Sequence, residues 1–202
     1  MSSQDRHGRC RTLFAVAMLS CAVAFTPTAG AQGRDDPVAL MAAQREAMQP
    51  LAFMDGIWRG PAWTLLGSGT KHEITQTERI GPFLDGSVKV IEGKGYEADG
   101  RPSFNAFATI SYDAGAKAYR FHSYAQGRVG DFVLTPTADG YVWEIPAGPQ
   151  MTIRYTAIVK GSEWFEYGDR VVPGQAPFRF FEMRLKRVGD TSWPAGDAVP
   201  PK

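Results

Sequence analysis

The side chains in this sequence that could move a proton or hold a ligand are glutamates and histidines set among aromatic residues. Glu73, Glu78, Glu92, Glu144, Glu163, Glu166 and Glu182 all fall in stretches that read as strands. Carboxylates paired across a site can share acid and base work, but positions along separate strands do not give their separation. His122 stands mid-strand between Phe121 and Ser123, on the face it shares with Arg120 and Tyr124, and reads as a strand histidine with an ordinary hydrogen-bond partner. His72 follows a lysine near a turn and reads as exposed. Two histidines on different strands, with no cysteine near either, make a poor zinc site, so no metal is expected. There is no G-x-S-x-G elbow and no P-loop, and Gly67/Gly69 and Gly93/Gly95 read as turns and bulges where a wall bends. No catalytic signature stands in the chain.

Aromatic residues are the larger signal, at 12% of the sequence. Several strands carry them on both faces, as Phe104/Phe107 and Trp164/Phe165 do, which suits a wall packed outside and a cavity lined inside. His122, Tyr124, Arg154 and Glu166 are the polar residues placed to orient a ligand among them. The bland alternative for each is an outward, solvated position.

The elements that position these residues follow from periodicity. "RDDPVALMAAQREAMQP" reads as one short helix: Asp36 can cap it, Pro37 suits its first turn, and Pro50 discourages continuation. Val38, Met41 and Met48 share one side, so the helix should rest on the body of the protein, as plain packing or as a lid. From Gly56 to Arg187 the pattern changes to short aromatic and β-branched runs between turn dipeptides such as Asp99-Gly100 and Asp139-Gly140. About ten strands result, with no connection long enough for a parallel crossover. The expected fold is all-β: a single antiparallel up-and-down meander barrel of about ten strands, with a short N-terminal helix.

The ends read differently. Arg6, Arg9 and Arg11 precede the apolar run "LFAVAMLSCAVAF", and Ala29-Gly30-Ala31 offers a cleavage site. Residues 1–31 are therefore read as a signal peptide, with periplasmic or secreted localisation; a lipoprotein modified at Cys21 is the weaker alternative. Cleavage removes Cys10, Cys21, three of 22 basic and one of 21 acidic residues, leaving 171 residues and a net charge of −1. That balance gives no reason to expect nucleic acid, and no integral membrane segment follows the signal. Residues 32–50 are assigned to the helix and a linker, 51–188 to the barrel and 189–202 to a flexible Pro/Gly-rich tail.

Gly56-Ile57-Trp58 at the entry to the first strand resembles the Gly-x-Trp signature of lipocalins and related calycins. The resemblance implies a tryptophan inside the closed end, with an arginine of the last strand across its ring. Phe181, Met183 and Leu185 share one face and Arg187 comes next on it, so Gly56, Trp58 and Arg187 are the expected structural residues. "L-x-x-x-x-G-x-W-x-G" (Leu51 to Gly60), "FLDG" and "ISYD" before "AYRFHSY" are similar to a family of small secreted bacterial barrels of uncharacterised function, distantly related to fatty-acid-binding proteins and nitrobindin. Nitrobindin-like barrels hold haem through a histidine near the C-terminus. No histidine follows His122 here, so no haem and no other cofactor is expected. The leading reading is an exported barrel that binds a small, mainly apolar molecule, lipid-like or aromatic. The alternatives are a barrel enzyme of the isomerase or cyclase type on a lipid-like substrate, and a filled barrel acting as an interaction module.

Overall fold

Along each strand from Gly56 onward small or apolar residues recur at every second position, and that period decides which face turns inward. The computed structural model describes residues 36–192. The signal peptide and most of the assigned tail lie outside them. Ten strands follow one another as hairpins: β1 (Gly56–Leu65), β2 (Lys71–Phe83), β3 (Val88–Tyr96), β4 (Pro102–Asp113), β5 (Ala118–Ala125), β6 (Arg128–Thr137), β7 (Gly140–Pro146), β8 (Thr152–Lys160), β9 (Glu163–Val171) and β10 (Phe178–Gly189). Each pairs antiparallel with its sequence neighbours, and β10 returns to pair with β1, closing the barrel.

The first and last strands meet in the anticipated register, with Trp58 opposite Arg187 across the seam and opposite Glu78 on the other side. Trp58 is fully buried, its indole N–H donating to the Met54 carbonyl at 2.9 Å and its ring edge-on to Trp164 at 5.5 Å. The Arg187 guanidinium donates to the Asp55 carbonyl at 3.2 Å and to Asp190 at 2.6 Å. It passes so close to Gly56 that a Cβ there would lie 2.8 Å from Nε, and Gly56 has φ +143°. A side chain fits neither the space nor the conformation.

The Trp58 end is sealed by the segment that precedes it. Helix α1 (Pro37–Met48) is capped by Asp36, whose carboxylate accepts from the Val38 N–H at 3.0 Å. A 3₁₀ turn, Gln49–Met54, follows and buries Leu51 and Met54 beside Trp58. Tyr119 donates its hydroxyl to the Ala47 carbonyl at 2.6 Å, fixing the end of the helix to β5. One expectation needs correcting: Val38 and Met41 do not rest on the body but stand exposed, and Met48 alone of that side is buried. Asp36 and Pro37 start the helix by local capping, whereas only its last turn reaches the barrel.

Candidate functional site

The interior divides along the barrel axis. Trp58, Ile80, Ile110, Leu134 and Leu185 are fully buried and fill the closed half. Above them Phe121, Phe132, Trp143, Tyr155 and Phe181 continue the inward faces of their strands, yet keep surface open to solvent. Accessible surface on an inward residue means that its neighbours do not fully cover it; for Phe132 and Trp143 part of that surface opens on a cleft between β6 and β7. The aromatics form one wall: Trp143 stacks on Tyr155 at 4.4 Å and 9°, Phe121 and Phe132 meet Trp143 at 4.9 and 5.1 Å, and Phe181 meets Tyr155 at 5.8 Å. The wall formed by β1, β3 and β4 is built from small residues, among them Ala62, Gly93, Gly95, Ala106 and Ala108.

Two carboxyl groups stand between these walls. Glu78 lies on β2 beside Trp58 and opposite Gly93, where a Cβ would come within 2.9 Å of both its carboxyl oxygens. Gly93 thus leaves the space the carboxyl occupies; it is a mid-strand glycine and not the turn or bulge expected from sequence. Gln76 Nε2 donates to Glu78 Oε1 at 2.7 Å. Protein encloses Glu78, and the surface it keeps faces the lumen. Burial pushes its pKa up to about 8; the Gln76 hydrogen bond opposes that rise, and Glu166 and Glu92 add to it.

Glu166, on β9 between Ala157 and Met183, is buried and accepts the Tyr141 hydroxyl at 2.7 Å. Burial raises its pKa as well, against the lowering effect of Tyr141 and of the indole N–H groups of Trp164 and Trp143. Burial and the neighbouring carboxylates raise Tyr141 well above the usual phenol range and push Tyr155 up to about 12, so both stay protonated donors. The Trp164 N–H is buried and makes no hydrogen bond of normal geometry. The arrangement can donate protons, accept them, or neutralise positive charge, all in a low-dielectric, aromatic setting.

Of the four residues proposed from sequence to orient a ligand, only Glu166 faces the lumen. His122 pairs with Asp131 and bonds Tyr124 Oη at 2.9 Å, and both rings lie on the outer wall. Arg154 pairs with Glu144 at 2.6 Å, also outside. The reason is parity: Phe121 and Tyr155 take the inner face, which turns His122, Tyr124 and Arg154 outward. Glu78, named from sequence only as one of seven strand glutamates, joins the site together with Gln76 and Tyr141, none of which was placed there as a ligand-orienting residue. The available signal was register, since the strand-face period that puts Ile80 inward carries Glu78 and Gln76 with it.

The barrel wall has a weak place beside these outer residues. Strands β6 and β7 pair only from Leu134↔Trp143 to Thr137↔Gly140. Beyond Leu134 lies a cleft of about 860 Å³, with Asp131, Val133, Glu144 and Arg154 on its rim and Phe132 and Trp143 at its floor. Among the described residues no three His, Cys, Asp or Glu side chains converge as metal ligands, and no helix is long and apolar enough to cross a membrane.

No family model and no curated protein matches the chain. Solved structures do: the chain is similar to Rv2717c from M. tuberculosis, at 13% identity and a TM-score of 0.52, over 70% of this chain and 96% of that one. At that identity the likeness concerns the fold alone. This is a closed ten-stranded antiparallel barrel with a barrel protein as its structural neighbour.

Proposed function

We propose that the protein is a calycin-like, exported small-molecule carrier whose ligand, mainly apolar and lipid-like or aromatic, sits in the open half of the lumen. The observation behind this reading is the wall of Phe121, Phe132, Trp143, Tyr155 and Phe181, turned inward yet accessible, above a base filled by Trp58 and its neighbours. Pockets of this kind combine apolar lining with a few fixed polar groups, here Glu78, Glu166 and Tyr141. On this reading the exported form begins at Gln32, and a haem titration of it is expected to give no Soret band that depends on His122. Native mass spectrometry of gently extracted protein tests the carrier reading: a co-purifying small molecule is expected. A bare mass, with no uptake of any apolar probe, would favour the filled-barrel interaction module.

One observation favours a second reading, an enzyme on the same barrel. Two buried acids with raised pKa values facing one cavity are the usual equipment of proton-transfer sites. An isomerase or cyclase acting on a lipid-like substrate would use Glu78 as the group that holds a proton near neutral pH.

A further inference from the structure

Glu78 and Glu166 are the ionisable carboxyls of the lumen, and among the described residues neither forms an ion pair. The inward cations lie elsewhere and are already engaged. Lys89 is tied to Asp55 and Arg187 to Asp55 and Asp190, both at the closed end. Arg170 stands at the mouth, against the rings of Phe178 and Phe180. The lumen is therefore acidic where it is deepest, with aromatic rings around the acids and no basic partner for them. An anionic head group in that place would oppose ionisation of both acids and find no cation to pair with, whereas a cation would favour it.

A second feature marks the same spot as incomplete. The Trp164 indole is 2% exposed, and its N–H reaches toward Glu166, lowering that carboxyl's pKa, without making a hydrogen bond of normal geometry. Buried donors in native structures are rarely left without an acceptor. An acceptor atom of a ligand held beside Glu166 would complete it.

We propose that the lumen binds an organic cation, an amine or quaternary ammonium on an apolar frame. Its charge lies between Glu78 and Glu166, its frame against Trp143 and Tyr155, and an acceptor atom beside the charge faces the Trp164 N–H. Rings near a cation add attraction from their negative faces, which a neutral or anionic ligand of the same shape does not receive. This inference rests on the carrier reading and narrows it, since a fatty acid carboxylate fits the acidic depth poorly.

The test uses the chain from Gln32 onward and three fluorescent probes of one frame: dansylcadaverine, its neutral N-acetyl derivative, and a dansylated carboxylate of equal chain length. The amine is expected to bind tighter than the other two by roughly tenfold or more. Glu78→Gln and Glu166→Gln should each erode that preference, read as the ratio of amine to neutral-probe affinity in the same variant, with circular dichroism confirming the fold. Binding of the amine in weakly buffered solution should also release protons, because the ligand's charge replaces a proton on the carboxyl pair. Equal affinity for amine and neutral probes, or a preference that survives both substitutions, overturns the cation and leaves the carrier reading standing. No binding of any probe overturns both.

Discussion

Tyr141 holds Glu166 from within the barrel: its hydroxyl donates to Glu166 Oε2 at 2.7 Å, with both side chains buried. Such a bond lets a carboxyl remain inside a wall of rings without a cation beside it. The donor answers part of the desolvation, and the raised pKa shows that it does not answer all of it. The same balance recurs at Glu78, where Gln76 is the donor.

Tyr141→Phe removes that donor and leaves the ring volume. Glu166 then stands buried with one fewer partner, and its pKa should climb further above the ordinary carboxyl range. A loss of about 1–3 kcal/mol in urea unfolding is expected at pH 8. The loss should be smaller at pH 5, because burial raises the Glu166 pKa and lower pH shifts the group toward its protonated form, which needs the donor less. An equal loss at both pH values would mean that the hydroxyl acts through packing alone.

Glu78 makes stability fall as pH rises. Its folded pKa is about 8 against an ordinary 4.5, so between those values the native state binds more protons than the unfolded chain. Its contribution is intact below pH 4.5 and is lost as pH passes through 8. Glu166 and Glu92 push in the same direction and Gln76 against it. At about 1.4 kcal/mol per unit, the swing is on the order of 3–5 kcal/mol. Glu78→Gln should therefore be the more stable protein at pH 9, with the two curves converging near pH 4.5. Melting temperatures across that range check it; parallel curves would refute the burial argument.

The base of the barrel depends on Trp58. Its indole supplies the hydrogen bond to Met54, the edge contact to Trp164 and the floor on which Leu51 and Met54 pack. Trp58→Ala should cost on the order of 3–5 kcal/mol, measured by chemical unfolding. Gly56→Ala, one residue from Asp55, should also destabilise, because the new methyl meets the Arg187 guanidinium. A Trp58→Ala protein that unfolds like the parent would place the closing core elsewhere.

Much of this architecture was readable from sequence because hairpin turns and two-residue periodicity act locally. The ten runs, their antiparallel order and the meeting of Trp58 with Arg187 follow from counting residues between turns. The site was less readable because facing is fixed by neighbours. Whether His122 or Phe121 points inward depends on which strand face the closed sheet turns to its core, and the bulkier apolar residue won. Glu78 was hidden for a related reason. Its place depends on Gly93, one strand away, having no side chain.

The outer wall supplies the last test. His122, Tyr124 and Arg154 are engaged with one another or with Asp131 and Glu144, facing away from the lumen. Tyr124→Phe and Arg154→Ala should therefore leave the affinity for a lumenal probe unchanged, whereas Phe181→Ala should weaken it by removing a ring from the lining. The rim of the β6–β7 cleft allows a kinetic measurement as well. Val133 and Glu144 flank the point where the ladder stops, and Phe132 and Trp143 lie just behind it. The chain from Gln32 onward has no cysteine, so a Val133→Cys, Glu144→Cys pair can be bridged by a bifunctional thiol reagent without side products. If ligand passes between the strands, the bridge should slow association and dissociation together and spare the equilibrium constant. Unchanged rates would place entry at the mouth opposite Trp58, among the turns around Gly69, Gly100, Gly127 and Gly148.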